Sequence, residues 1–326
     1  VLLPDDDIPW LFKYSRTIST QPVCIAGEHW SEKVASEIGG ILGIPCAKVE
    51  LAEFNGSYGS ISQKFEELKN SACELVHGNE LLAGAIENYD QEKTYGHSLH
   101  TLENILTAIK TVTNNEQSRR DAYHAVGGYI LLDALIMNGD RHHENWSMFR
   151  KYSAGQISHE MAPSFDHASS LGRELGPQKI STWKQQGEKS YSQRIDNYIR
   201  KGPGGVFADV EAKRGMNPIE LVALANKRWP SVISPWLKKL SETDIDIICA
   251  TLKEVPIACT NSYSLEFSEL LLNKHLRRVE ALELLKEYEQ SLPLRYYSDI
   301  LNYLNITREE FVETLDNFRP RNLWKN

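Results

Sequence analysis

The chain has 326 residues, with 36 Lys and Arg against 44 Asp and Glu, a formal net charge of −8. Apolar residues at 41% and charged residues at 25% exclude a disordered or fibrous chain, and the length allows two domains or one large two-lobed unit. The acidic balance argues against a general binder of nucleic acid or anionic membrane, because long-range steering needs the opposite sign, though a local basic patch stays open.

No apolar run approaches the ~18 residues of a membrane-spanning helix, and no secretory leader pattern opens the chain. Five cysteines (Cys24, Cys46, Cys73, Cys249 and Cys259) are widely spaced and form no C-x-x-C pair. That pattern predicts reduced thiols and a cytoplasmic address, with a secreted effector left open. The chain starts at Val1 without Met, so native residues are expected to precede it.

The first 65 residues read as a small α/β lobe. The aromatic run Trp10 to Tyr14 has strand character. Trp30, Val34, Ile38, Ile41 and Leu42 recur at helical spacing over residues 28–43, and Gly43 and Pro45 stop that helix. Residues 47–54 and 59–65 then read as a hairpin turned at Asn55-Gly56. Residues 74–79 read as an extended connector ending in a turn. Helices follow, one marked by Leu102, Ile105, Leu106 and Ile109 and a longer one over about 118–137. A polar loop, 138–145, leads into a second hairpin turned near Ser153-Ala154-Gly155. Residues 164–205 are polar and include Gly202-Pro203-Gly204-Gly205, which suggests surface loops around one or two short helices. From 217 to the end only helices are read: 218–225, 243–252, 265–288, 296–304 and 308–318. Two parts are expected, a small lobe over 1–80 and a helical lobe over 81–326.

The stretch Asn138-Gly139-Asp140-Arg141-His142-His143-Glu144-Asn145 carries the chemistry. A carboxylate and a carboxamide stand five residues apart on a loop after a buried helix. The following hairpin would bring a second carboxylate, Asp166, back beside Asn145. Asn145 and Asp166 would then offer hard oxygen ligands to Mg²⁺. Asp140 would be free to accept a proton from an incoming hydroxyl. This is the arrangement of phosphoryl transfer by kinases. In the small lobe, Lys13 on the first strand would meet α- and β-phosphate oxygens of ATP, and Glu32 would hold Lys13. The segment around Glu74 and Val76 falls where a hinge would present backbone groups to adenine.

These pieces resemble the HipA-like serine/threonine kinases. The resemblance rests on WLFKYSR (10–16), EHWSEKVASEIGGILGIP (28–45), NGDRHHENWSMF (138–149), APSFDHASSLG (162–172) and FSELLLNKHLRR (267–278), and spans roughly residues 10–285. It implies an α+β, bilobal protein-kinase-like fold with a small α/β N-lobe and a mostly helical C-lobe. It implies ATP and Mg²⁺ as cofactors, Asp140 as the catalytic Asp, Asn145 and Asp166 as metal ligands, Lys13 as an ATP ligand, and a protein Ser or Thr hydroxyl as acceptor. It also connects the chain to antitoxin-like or host partners. His142 matches the histidine of the D-R-H-x-x-N loop that phosphoinositide kinases share, where it would stabilise charge on the γ-phosphoryl group. A lipid kinase and a catalytically silent scaffold are the competing readings.

The departures are specific. No Gly occurs in residues 1–12, and Asp5-Asp6-Asp7 would repel phosphate, so a Gly-rich loop is expected before Val1 or not at all. His167 follows Asp166 where kinases carry Phe-Gly, and no Ala-Pro-Glu segment follows, so an ordinary activation loop is not expected. Bland roles compete for each residue. Asp140 and Asn145 suit a turn, Lys13 suits a strand edge, Glu32 suits a helix first turn, and His142 and His143 suit a polar loop. A metal hydrolase would want His-Asp or His-Glu-x-x-His, and neither occurs.

Overall fold

A computed structural model of the chain describes residues 2–3, 7–18, 24–256, 260, 264–274, 276 and 307. The chain forms two compact units, Val1–Glu280 and Ala281–Asn326. The helices expected over 296–304 and 308–318, and most of 275–288, lie outside the described residues.

The small lobe opens with strand β1 (Trp10–Tyr14), followed by β2 (Thr17–Ile18), β3 (Cys24–Ile25), helix α1 (Glu28–Leu42), β4 (Val49–Phe54) and β5 (Ser57–Gln63). β1, β5 and β4 form one antiparallel sheet with β5 in the middle, which sets Lys13 opposite Ser60. Asn55 and Gly56 both take positive φ (51° and 73°), as a two-residue hairpin turn demands. α1 buries Trp30, Val34, Ile38 and Leu42 and ends at Gly43 in the left-handed region. The β2–β3 pair was not legible in sequence, because two-residue strands carry no alternation.

The connector expected at 74–79 is a strand, β6 (Cys73–His77), running straight into helix α2 (Gly78–Ala85). β6 pairs antiparallel with β7 (Ser147–Ser153), which pairs with β8 (Gln156–Met161), in the order β6-β7-β8. So residues on the near side of the expected boundary at 80 hydrogen-bond to the hairpin that follows the loop over 138–145. Gly78 reads as a turn signal but serves close packing: a Cβ there would meet the Trp146 ring and lie 2.5 Å from the His143 carbonyl.

Helices α3 (Leu102–Val112) and α4 (Glu116–Ile136) are capped by the side chains of Thr101 and Asn115. α4 is buried through most of its second half and packs against α7 (Pro218–Arg228) and α8 (Pro230–Ser241). α8 was not read from sequence, because Pro230 and Pro235 look like breaks. Pro230 sits in the first turn, where the missing N–H costs little. The polar stretch, expected as surface loops around one or two short helices, holds two, α5 (Pro177–Gln185) and α6 (Glu188–Lys201). Their sparse apolar residues (Ile180, Tyr191, Ile195 and Ile199) form one core with Met137, Leu175, Phe267 and Leu271, the last two from the helix over 264–274. α9 (Ile245–Ala250) completes the described helices between them. The described cysteines Cys46, Cys73 and Cys249 are free thiols. Among the described residues, no helix is long and apolar enough to cross a membrane.

Candidate functional site

The site is built on the end of α4. The helix stops at Met137 in the left-handed conformation, and Asn138 folds back to donate to Asp133 Oδ1 at 2.8 Å. Arg141 then returns to the same carboxylate, with Nε 2.8 Å from Asp133 Oδ2 and Nη2 2.7 Å from Oδ1. Both residues are buried. The guanidinium has donors left over. Nη1 reaches the Asn145 carbonyl at 2.5 Å and the Phe165 carbonyl at 3.4 Å, and Nη2 reaches Ser164 Oγ at 2.9 Å. One buried, fully hydrogen-bonded ion pair therefore ties the helix end to the segments bearing Asn145 and Asp166. Sequence reading passed over both partners. Their only signal was a lone carboxylate, Asp133, inside an apolar helical run.

Asp140 stands at the front of this loop. Its N–H donates to Asn138 Oδ1, and its carbonyl accepts from the His142 N–H at 2.8 Å and from Asn145 Nδ2 at 2.7 Å. The last bond fixes the Asn145 amide and leaves its Oδ1 for another partner. Asp140 Oδ2 accepts from Ser169 Oγ at 3.4 Å. Burial pushes the Asp140 carboxyl above its ordinary value; His142 opposes this and the charge of Asp166 adds to it. The Glu144 N–H donates to His142 Nδ1 at 3.3 Å, so a neutral His142 carries its proton on Nε2. His143, next to it, is buried. Its Nδ1 lies 2.9 Å from Tyr89 Oη, and His97 stacks on Tyr89. It belongs to the loop's support.

Asp166 takes a positive φ of 59°, a conformation Asp adopts more readily than most residues. Both neighbours are pinned. The Phe165 carbonyl is held by Arg141, and the His167 N–H donates to Glu32 Oε1 at 3.0 Å. The Asp166 carboxylate meets Lys13 Nζ at 3.0 Å, both side chains partly exposed. The direct Lys13–Glu32 pair expected from sequence is not formed. Glu32 bonds the His167 backbone, and its Oε2 is buried without a hydrogen-bond partner. Burial works against the Lys13 ammonium, but Asp166 and Glu32 together hold it above its ordinary value. Burial also raises Glu32, with Lys13 and the His167 N–H pulling the other way.

Lys13, Glu32 and Asp166 line one side of a cleft of about 420 Å³, walled by Trp10, Phe65, Leu75 and Phe165. That is within the range of small-ligand sites. Glu74 and Val76 are not brought to it. Gly78 N–H donates to the Trp146 carbonyl and Tyr152 N–H to the Ala72 carbonyl. Antiparallel alternation then spends the backbone groups of Glu74 and Val76 on β7 and leaves those of Leu75 at the open edge. The Glu74 side chain bonds Arg150 at 2.8 Å and Tyr152 at 2.6 Å instead, and Val76 is buried. The expected backbone contacts of Glu74 and Val76 are off by one residue, because successive residues of a strand turn their N–H and C=O groups to opposite edges.

The donor set fits a hard divalent cation. Asn145 Oδ1 and the Asp166 carboxylate are oxygen ligands of the type Mg²⁺ takes alongside phosphate and water oxygens. Among the described residues no three His, Cys, Asp or Glu side chains gather as a metal cage.

A small sheet with one packed helix, a cleft beneath it and a helical lobe bearing the loop over 138–145 make an α+β, protein-kinase-like fold. Residues 3–225 match the HipA-like C-terminal domain family, and the chain belongs to that family. Residues 261–326 are similar to the C-terminal domain of WbpG-like lipopolysaccharide-biosynthesis proteins. No match was found among curated proteins. Among solved structures, the chain is similar to a Helicobacter pylori proinflammatory kinase, CtkA, with a TM-score of 0.66 and 19% identity, covering 87% of this chain and 92% of that one. It is also similar to HipA of Shewanella oneidensis MR-1, solved with HipB and operator DNA, with a TM-score of 0.50 and 13% identity, covering 77% of this chain and 55% of that one. At these identities the likeness is one of fold.

Proposed function

We propose that the chain is an ATP- and Mg²⁺-dependent kinase that phosphorylates a Ser or Thr hydroxyl of a protein. The observation that carries this reading is the 3.0 Å contact between Lys13 of the small lobe and Asp166 of the loop that Arg141 ties to Asn145. It brings the phosphate-binding cation and the metal-binding carboxylate together at one cleft.

In this reading Lys13 binds phosphate oxygens of ATP, kept protonated by the two carboxylates beside it. Glu32, with one buried oxygen unpartnered, would steady the ammonium when Asp166 is engaged by the metal. Asn145 Oδ1 and Asp166 would hold Mg²⁺, which supplies charge neutralisation on the phosphate oxygens. Asp140, its proton affinity raised by burial, orients the acceptor hydroxyl and takes its proton. The Nε2–H of His142 donates to the transferring group. Positioning and charge complementarity supply the acceleration, as phosphoryl transfer requires. The HipA relative was solved with HipB, and an antitoxin-like partner is part of the same proposal, checked by co-purification from native cells.

Incubation with Mg-ATP and an offered protein acceptor, read as phosphate incorporation by intact mass, tests the reading. Asp140→Asn should lose about 10²–10⁴ in turnover while keeping nucleotide affinity. Asp166→Asn should lose the metal dependence of that affinity. Absence of ATP binding by the wild type would sink the proposal. Binding without transfer would favour the scaffold, and transfer confined to inositol lipid would favour the lipid kinase.

A further inference from the structure

A second cavity, of about 700 Å³, lies beside the start of the loop over 138–145, at the end of α4. Gly139 and Ser169 form part of its wall, and Ser169 Oγ is the group 3.4 Å from the Asp140 carboxylate. The cleft described above is lined by Asp166; the two cavities share no lining residue. Ser169 thus connects this cavity to the Asp140 carboxylate, and Asp166 marks the separate cleft above.

The walls of this second cavity are basic. Arg173, Arg194 and Lys201 line it, against one carboxylate, Glu174. Arg173 is already engaged by Glu28 at 3.3 Å, and Glu174 accepts the Tyr198 hydroxyl at 2.5 Å. Among the described residues Arg194 has no carboxylate partner. Its Nε and Nη2 both donate to the neutral Gln186 Oε1, at 2.9 and 2.7 Å, and its guanidinium lies over the Trp183 ring. Neutral tethering holds the cation in place without cancelling its charge. Asp196, an acid on α6, pairs with Lys274 at 3.0 Å. Over residues 173–201 the sequence carries seven basic and three acidic residues, a net charge of +4 inside a chain of −8, which the pairing of Arg173 with Glu28 and of Lys184 with Glu266 lowers to +2. A patch of that sign, beside the catalytic base of an acidic protein, selects for an anionic occupant.

We propose that this cavity is the acceptor subsite and that it takes a peptide segment in which the phosphorylated Ser or Thr is flanked by Asp or Glu, with Arg194 and Lys201 as its specificity-determining residues. The inference rests on the kinase reading above for the transfer itself, but the charge selection stands on the cavity alone. An acidic peptide is favoured over an inositol lipid headgroup by the rim. None of the exposed large hydrophobic side chains among the described residues lies on α5 or α6, so the helices that wall the cavity offer no apolar surface to a bilayer.

The test uses the full chain and two fluorescein-labelled peptides that share a central Ser, one flanked by Asp and Glu, the other by Lys and Arg. Equilibrium anisotropy needs no turnover. The acidic peptide should bind about tenfold more tightly at low salt, with the preference shrinking as salt rises. The double variant Arg194→Glu/Lys201→Glu should reverse the preference while leaving nucleotide affinity and thermal unfolding unchanged. The milder Arg194→Gln/Lys201→Gln should abolish it. Equal binding of the two peptides, a preference that survives charge reversal, or binding only to phosphatidylcholine vesicles carrying phosphatidylinositol 4-phosphate would each overturn the proposal. Phosphate transfer is read alongside. Selective binding without transfer supports the acceptor chemistry while removing the kinase reading. Transfer without acidic preference does the reverse.

Discussion

Arg141 looks at first like one more charge in a polar loop, yet it organises the others. Five hydrogen bonds leave its guanidinium, two to Asp133 and three to the segments that present Asn145 and Asp166. Replacing it with Met would strand the Asp133 carboxylate in the core. The expected cost is about 3–5 kcal/mol, because a buried charge without its partner keeps its full desolvation penalty. The double variant Asp133→Leu/Arg141→Met should recover part of that loss in urea unfolding, since the uncompensated charge is gone. It should not recover metal-dependent nucleotide binding, because the tie between the two ligand-bearing segments is still missing. Additive losses in stability would show that the pair is not coupled. Lys at 141 is no conservative substitute, as one ammonium with three N–H donors cannot serve these five acceptor atoms.

At the scale of elements, the catalytic loop is held from behind as well as from its base. Gly202-Pro203-Gly204-Gly205 reads as a surface turn, but a Cβ on Gly205 would lie 2.5 Å from the Arg141 carbonyl and 2.7 Å from the His142 nitrogen. Gly205→Ala must therefore displace the loop. Turnover should fall at least tenfold for about 1–3 kcal/mol of stability, a disproportion read by comparing kcat with the urea midpoint. The β6 register makes a companion prediction. Leu75→Ala should weaken nucleotide binding about tenfold by removing apolar wall, whereas Glu74→Ala should leave it unchanged in the same titration. What the sequence made legible follows the same division. Asp140 and Asn145, the Asn55-Gly56 turn and the α1 and α4 stripes are local patterns, and they were readable. The β6–β7 pairing joins residues 70 to 78 positions apart, so nothing near Glu74 reveals that its backbone is already spent. Pro235 hides α8, and the polar face of α6 hides its Ile195–Ile199 stripe, because each is decided by what packs against it.

For the whole molecule, the supporting layer under the catalytic loop sets a pH limit on the fold. His100 is buried, its Nδ1 2.9 Å from the Gly205 carbonyl, and its Nε2 accepts the Trp146 N–H at 3.2 Å. Both ring nitrogens are used by a neutral imidazole, so a second proton would have to displace the Trp146 bond. Burial pushes His100 down from 6.5 to about 3, against the pull of the Gly205 carbonyl. The unfolded chain protonates this ring near its ordinary value while the folded chain does not, so folding stability is complete above that value and drains away as pH falls below it. Between about pH 7 and about pH 5 this one group should remove about 2 kcal/mol, and any folded value well under 5 gives the same figure. His143, pushed down to about 4 by burial, loads the same limb. In a series of urea midpoints across that range, His100→Gln should start lower, for the packing it loses, but fall less steeply than the wild type. Parallel slopes would mean that His100 takes up its proton without unfolding, and that the loop is not anchored through a neutral imidazole.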